Sequence, residues 1–328
     1  MKSFLSQITG KKILITGGSG YIATSIISSI SRVPCTIYRI SNHKNLLIPF
    51  SGPAKIFDIE GDITVNFNWS TYIEEIDLIF HLGAQTSTYK SNDDPVMDMR
   101  CNVIPALKLL LACKKSSNHP MIIFTGTVTE IGLSKILPVS EEHYEEPITI
   151  YDIHKLLVEK YIIYFSKMGY AKGAILRLSN VYGPGPKSSA LDRGILNMMI
   201  AKGIMGETLK IYGSGSHIRD YIFIDDVVEA FIRASVNQDR LAGLYFIIGS
   251  GKGYSISDAV HLIAKRINDK TGRKVKVEHI NPPVNLSPIE CRNFIADISK
   301  FSKITNWKPK ISLKMGIDKT IDYFIDRI

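Results

Sequence analysis

The stretch Lys12-Ile13-Leu14-Ile15-Thr16-Gly17-Gly18-Ser19-Gly20-Tyr21-Ile22-Ala23 decides how the rest of the chain is read. A short apolar run ends in a glycine-rich turn, and a helical pattern opens directly behind it. Glycine at 17 and 20 lets the backbone turn tightly and approach a pyrophosphate, whose charge then sits at the positive end of the following helix. Ala23 supplies the small residue that packs helix against strand. The spacing predicts a dinucleotide-binding turn, with Gly17, Gly20, Tyr21 and Ile22 beside the cofactor.

Outward from this turn, apolar runs alternate with helical patterns, the signature of βαβ units and a parallel sheet. Strands are predicted at Lys12–Thr16, Cys35–Ile40, Lys55–Asp58, Asp77–Leu82, Met121–Thr125, Gly173–Leu178 and Leu244–Ile248. Helices are predicted at Tyr21–Arg32, Asp98–Lys114, Ile150–Met168 and Val227–Ala234. After Asn180 the alternation breaks at Gly183-Pro184-Gly185-Pro186. The expected architecture is α/β: a Rossmann-type doubly wound parallel sheet from residues 1–180 and about 216–250, with a smaller, discontinuous C-terminal lobe from 181–215 and about 251–328.

Composition agrees with a folded protein of this size. Of 328 residues, 45% are apolar and 22% charged, enough hydrocarbon for a full core. The uncharged segment 13–31 is too rich in Gly, Ser and Thr for a membrane span, and residues 1–12 lack the apolar run of a secretory signal. Cys35, Cys101, Cys113 and Cys291 form no C-x-x-C pair, so neither a metal site nor a disulfide framework is suggested. A reducing, cytoplasmic setting is expected. Net charge is +9, of which the first 57 residues carry +7 with no Asp or Glu, so an anionic partner is expected at the N-terminal part. No basic-aromatic cluster supports nucleic acid as that partner.

The second strand would normally end in an acid that reads the adenosine ribose of NAD. Here it runs Ile37-Tyr38-Arg39-Ile40-Ser41-Asn42, without one. Arg39 and Ser41 could clasp a 2′-phosphate, which favours NADP over NAD; alternatively, Arg39 lies against the adenine.

A second constellation is Tyr151-Asp152-Ile153-His154-Lys155. Helical spacing puts the Tyr151 hydroxyl and the Lys155 ammonium on one face. A free phenol ionises near 10, too high for a base at neutral pH, and a neighbouring ammonium favours the phenolate. Thr127, in the hydroxyl-bearing stretch Thr125-Gly126-Thr127-Val128-Thr129, stands upstream as the group that would orient the reacting oxygen.

With these motifs the chain resembles the extended short-chain dehydrogenase/reductase family, which contains the nucleotide-sugar epimerases and dehydratases. The likeness extends through Gly61-Asp62-Ile63, His81-Leu82-Gly83-Ala84, Asn102-Val103, Arg177 to Gly185, Arg219 to Val227 and Ala296 to Lys300, and closes on Asn306-Trp307-Lys308-Pro309. The resemblance implies Thr127, Tyr151 and Lys155 as catalytic residues. It implies a cofactor site that also includes Asn42, Asp62, Ile63, Leu82, Gly83, Ala84 and Asn102. Asn180, Arg219 and Arg292 would hold a nucleoside-diphosphate sugar, the arginines at its diphosphate. It also implies a homodimer built on the helices around Asp98–Lys114 and Ile150–Met168.

Departures narrow the reading. The family's 4,6-dehydratases carry an Asp-Glu pair where this chain has Val128 and Thr129, and its sugar decarboxylases carry Glu at the position of Thr129. Glu130 is displaced by one residue and is expected to face away. His154 is expected to point to solvent, and His217 is left outside the site. The function implied is an NAD(P)-dependent epimerase acting by hydride transfer at a sugar carbon, C4 foremost. The alternatives are an NADPH-dependent 4-ketoreductase and a catalytically silent nucleotide- or nucleic-acid-binding member of the fold.

Overall fold

The computed structural model describes residues 2–42, 48–185 and 194–326. Lys44 of the basic N-terminal set and Pro186 of the Gly-Pro break lie outside them. The first half runs α1 (Lys2–Leu5), β1 (Lys12–Thr16), α2 (Tyr21–Ile30), β2 (Thr36–Ser41), β3 (Lys55–Glu60), α3 (Ser70–Ile73), β4 (Leu78–His81), α4 (Thr88–Asp93), α5 (Pro95–Lys115) and β5 (Met121–Thr127). Then come α6 (Ile150–Lys167), β6 (Lys172–Leu178), β7 (Asn180–Tyr182), α7 (Ile195–Met205), β8 (Leu209–Tyr212), β9 (Ile218–Phe223), α8 (Ile224–Val236), α9 (Gln238–Leu241) and β10 (Leu244–Ile248). The chain closes with β11 (Gly253–Ser255), α10 (Ile256–Thr271), β12 (Val277–Ile280), α11 (Ser299–Thr305) and α12 (Leu313–Ile325).

Seven parallel strands form the main sheet in the order β10-β6-β5-β4-β1-β2-β3. This is a Rossmann-like α/β sheet, and its strand order reverses between β1 and β4, where such folds bind ligands beyond the strand ends. The central strands are almost wholly buried, as near-continuous apolar runs require when helices cover both faces. One core cluster joins Ile13, Ile15 and Phe80 to α2, α8 and the C-terminal elements; another packs Leu14, Ile79 and Ile122 against α5 and α6.

The second half inserts two small sheets. β9 pairs with β7 in parallel and with β11 antiparallel, while β8 and β12 pair in parallel. The chain thus passes through a separate sheet at β9 before β10 rejoins the main one. Trp307, fully buried, donates its indole N–H to the Asp226 carbonyl at 3.0 Å, and the Asp226 carboxylate accepts the backbone N–H groups of Lys310 and Ile311. This ties the C-terminal Asn-Trp-Lys-Pro motif to the start of α8.

Three of the seven basic residues of the N-terminal part find acids within the chain itself. Lys11 pairs with Asp77 at 3.3 Å, Lys12 with Glu75 at 2.5 Å and Arg39 with Asp58 at 2.6 Å. The first two acids stand where the chain enters β4, beside β1, and the third lies on the strand next to β2. Among the described residues no helix is long and apolar enough to cross a membrane.

Candidate active site

The glycine turn leaves β1 at Thr16 and enters α2 at Tyr21. Gly17 has φ +66°, and a Cβ there would sit 2.8 Å from the Gly83 Cα, so only glycine allows the turns after β1 and β4 to touch. At Gly20 a Cβ would press on the Gly17 carbonyl at 2.9 Å. The Thr16 hydroxyl accepts the N–H groups of Leu82 (3.0 Å) and Gly83 (2.9 Å) and lies 3.1 Å from Nδ1 of His81. Burial pushes His81 down to about 3, and because the Thr16 oxygen already accepts two N–H groups, its hydroxyl donates to Nδ1 of the neutral ring. Helix α2 is capped by Gly20 with no side-chain hydrogen bond and has no acid in its first turn. This narrow backbone cradle at a helix N-terminus fits a dinucleotide pyrophosphate.

Several residues expected at the cofactor have other work. Arg39 does not offer its guanidinium to a 2′-phosphate. Its Nε and Nη2 donate to Asp58 at 2.6 and 2.9 Å, and Nη1 donates to the Ile48 carbonyl at 2.7 Å. β2–β3 register causes this, since Arg39 and Asp58 are cross-strand partners. The Ser41 hydroxyl lies 3.0 Å from that of Ser19, linking the strand end to the glycine turn, and Asn42 is exposed next to it. Tyr21 sends its phenol away from the turn to the Gly183 carbonyl at 2.9 Å, while its ring fills the space over Gly185; Ile22 is half-buried behind it.

Asn102, expected at the cofactor, acts in the structure as a clamp on the chain. Its amide oxygen accepts Gln85 N–H at 2.9 Å, and its NH2 donates to the Gln85 carbonyl and to Asp98, both at 3.0 Å. It therefore sets the backbone just after Leu82, Gly83 and Ala84, which are half-buried at the end of β4. Asp62 is exposed and accepts the N–H and hydroxyl of Thr64 at 2.8 and 2.7 Å, a local turn that presents the half-buried Ile63.

Tyr151 and Lys155 lie in the first two turns of α6, both buried. Thr149 caps the helix, and the Tyr151 N–H donates to Ser91 Oγ at 3.1 Å, fixing the helix start against α4. The Lys155 ammonium sits 4.0 Å above the Phe124 ring, beside the uncharged His81. Thr127 ends β5, its hydroxyl 2.8 Å from that of Thr129, which in turn donates to Asp152, the residue after Tyr151. The structure thus brings Thr127 within two hydrogen bonds of the first turn of α6.

His154 does not point to solvent. It is buried, with Nδ1 2.7 Å from Oδ2 of Asp98, whose other oxygen accepts from Gln85 (2.7 Å) and Asn102. Asp98, missed in the sequence, joins α6 to the loop after β4; the one signal for it was its place one helical turn before Asn102. Glu130 does face away from the site, with Oε2 3.0 Å from the Arg177 Nε.

At the other end, Arg219, Arg292 and Asn180 converge. Arg219 donates through Nη1 to the carbonyls of Ile218 (3.2 Å) and Arg292, and through Nη2 to the Glu290 carbonyl at 2.7 Å. Nη2 of Arg292 lies 3.4 Å from the Asn180 amide oxygen. Burial pulls Arg219 below the usual arginine value, with Glu290 opposing the shift from 3.5 Å. Asp220, between the arginine and Tyr221, accepts N–H groups from Ser250, Gly251 and Ala296 and so gathers two separate segments behind this end of the site.

A Rossmann-like sheet carrying this turn, a Tyr-x-x-x-Lys helix and a hydroxyl-bearing β5 end defines a nicotinamide-dependent enzyme class. The chain belongs to the NAD dependent epimerase/dehydratase family, which it matches over residues 13–249. A putative UDP-glucose 4-epimerase of Methanocaldococcus jannaschii is 27% identical over 95% of this chain and 97% of its own. UDP-glucuronic acid decarboxylase 1 of Xenopus tropicalis is 24% identical over 98% of this chain and 74% of its own. Among solved structures, the UDP-glucose 4-epimerase of Thermotoga maritima with UDP-glucose superposes with a TM-score of 0.81 at 27% identity, covering 96% of this chain and 99% of that one.

Proposed function

We propose that this protein is a nucleoside-diphosphate-sugar 4-epimerase that uses NAD. The observation carrying the reading is the linkage of Thr127 through Thr129 to the first turn of α6, where Tyr151 and Lys155 stand one turn apart beside the dinucleotide cradle. Bound NAD would supply an acceptor for the hydride leaving the sugar carbon and a source for its return. Tyr151, as phenolate, takes the proton of the C4 hydroxyl and later gives it back. Lys155 favours that phenolate through its charge and would reach the nicotinamide ribose. Thr127 orients the reacting oxygen. Gly17, Gly20 and the N-terminus of α2 would hold the pyrophosphate, with Leu82 to Ala84 along the cofactor backbone.

The second lobe, residues 181–215 and about 251–328 with β9, would close over the sugar nucleotide, and Arg219 and Arg292 would meet its diphosphate. Turnover of the keto sugar before hydride returns to its other face gives the epimer. NAD is preferred to NADP because the Arg39 guanidinium, the basis for NADP and for the ketoreductase, is engaged by Asp58. Val128 and Thr129 offer neither the acid nor the base of a 4,6-dehydratase, and Thr129 lacks the carboxylate of the decarboxylases. We also propose a cytoplasmic homodimer. Apolar side chains stand exposed along α5 (Val96, Met99, Leu111) and along α6 and its C-cap (Ile153, Tyr164, Met168), helices that pack side by side.

The test is incubation with UDP-glucose, UDP-N-acetylglucosamine and UDP-glucuronate, each with NAD, followed by NMR of the sugar. Appearance of the C4 epimer of at least one supports the reading. Release of a keto sugar or a decarboxylated sugar, or no turnover of any, contradicts it.

A further inference from the structure

Arg219 and Arg292 share one carboxylate. Oε2 of Glu290 lies 3.5 Å from Nη2 of Arg219 and 3.9 Å from Nη1 of Arg292, so it occupies the space where the two guanidiniums come together. Both arginines are buried, whereas the Glu290 side chain keeps 42% of its surface in solvent. Glu290 belongs to a single tight turn, Pro288–Cys291, which the buried Ile289 anchors.

The backbone and the side chain of this turn do different things. The Glu290 carbonyl accepts from Arg219 Nη2 at 2.7 Å, and the Ile289 carbonyl accepts from Arg292 Nη1 at 3.0 Å, so the main chain holds both forks. The carboxylate stands farther off than the about 2.8 Å of a close charge-assisted hydrogen bond. A half-exposed pair at that range contributes little to the fold and exchanges readily with solvent. Its charge still matters locally, because it covers two guanidiniums that burial has stripped of water and opposes the effect of burial on Arg219.

We propose that the Glu290 carboxylate is a resident counter-ion that the diphosphate of the ligand displaces, which makes Glu290 a specificity-determining residue for anionic ligands. This rests on the reading of Arg219 and Arg292 as the diphosphate site. Phosphate oxygens that reach for the same Nη atoms meet the carboxylate there, and like charges side by side repel. Glu290 then swings into water, while the carbonyls of the turn keep the arginine forks aimed. Binding is an exchange of anions: a diphosphate replaces the charge it removes, and an uncharged ligand does not.

The test is calorimetry of UDP with NAD-loaded protein, with uridine measured by competition against UDP. Glu290→Gln keeps the shape of the side chain and the carbonyl that holds Arg219, and removes only the charge. It should tighten UDP roughly threefold to fivefold and leave uridine unchanged, and Glu290→Ala should do the same. Added NaCl should weaken UDP binding more steeply in Glu290→Gln than in the parent, because the site then carries one more net positive charge. UDP affinity that is unchanged or weaker in Glu290→Gln overturns the counter-ion, as does a parallel change in uridine, which would place the carboxylate at the nucleoside. In either case a loss of UDP affinity in Arg219→Ala leaves the diphosphate site standing. Unchanged UDP affinity in Arg219→Ala, or a parent that binds NAD and no UDP, overturns both.

Discussion

Two buried arginines, Arg177 and Arg219, show how differently the same side chain is used at the two ends of this molecule. Arg177, fully buried, meets carboxylates on every side: Glu159 at 2.7 Å, Glu145 at 2.8 Å and Glu130 at 3.0 Å. It lies over the Tyr245 ring, its centre 4.0 Å from the ring centroid. Burial first, and then the neighbouring Glu159, hold Glu130 well above the usual carboxylate range. Arg219 is almost as buried, yet its close partners are backbone carbonyls, with the Glu290 carboxylate at 3.5 Å and half in solvent. Carbonyls hold the fork in place without cancelling its charge. An arginine that is to bind a ligand phosphate needs that arrangement, and one that braces a fold does not. Arg39, locked on Asp58, belongs with Arg177.

The largest expected effect that tests this contrast is at Arg219. Arg219→Ala should raise the KM for the sugar nucleotide roughly 10- to 150-fold with a smaller fall in kcat, because a charged hydrogen bond remote from the reacting carbon is made alike in ground and transition states. Arg292→Ala should follow the same pattern. Steady-state kinetics checks it, and a fixed KM with collapsed kcat would move these arginines out of the diphosphate site.

Arg39 should behave in the opposite way. Arg39→Ala is expected to leave the ratio of NAD to NADP affinity within about threefold of the parent, since its guanidinium is already spent. Asp58→Ala should release that guanidinium, cost about 1–3 kcal/mol of stability, and improve NADP binding relative to NAD by roughly 10-fold. Calorimetry with both cofactors and chemical denaturation measure these. Loss of an NADP preference in Arg39→Ala would show that the arginine reaches the cofactor after all.

The smallest effect belongs to Glu130. A folded-state value raised above the unfolded one contributes stability that is complete below the ordinary carboxylate range and is lost as pH rises through the folded value. Glu130→Gln, always neutral, should match the parent within about 1 kcal/mol near pH 4.5 and should then hold its stability better as pH rises. Denaturation across pH 4.5 to 8 checks the sign; a parent that gains on the variant as pH rises would mean that Glu130 is ionised against Arg177.

How much was legible in the sequence follows the distance over which each feature is determined. Strands Lys12–Thr16 and Leu244–Ile248 and the starts of α2 and α6 were predicted to the residue, because apolar runs, glycines and a threonine cap act locally. The convergence of Arg219, Arg292 and Asn180 was legible through motif resemblance. What was not legible depends on partners far along the chain. Arg39 meets Asp58 because of strand register, and His154 meets Asp98 from 56 residues away. β9 pairs outside the main sheet, since a short strand carries no mark of which sheet it will join. The link of Asp152 to Thr129 spans 23 residues.

The central claim is that Tyr151 is the base of a nucleotide-sugar epimerase whose hydroxyl-bearing partner is Thr127. The most direct measurement is kcat of Tyr151→Phe on the sugar nucleotide that the parent protein turns over best, with NAD binding measured in parallel. The account predicts a fall in kcat of about 10²- to 10⁴-fold with cofactor affinity retained. Turnover within threefold of the parent would contradict it.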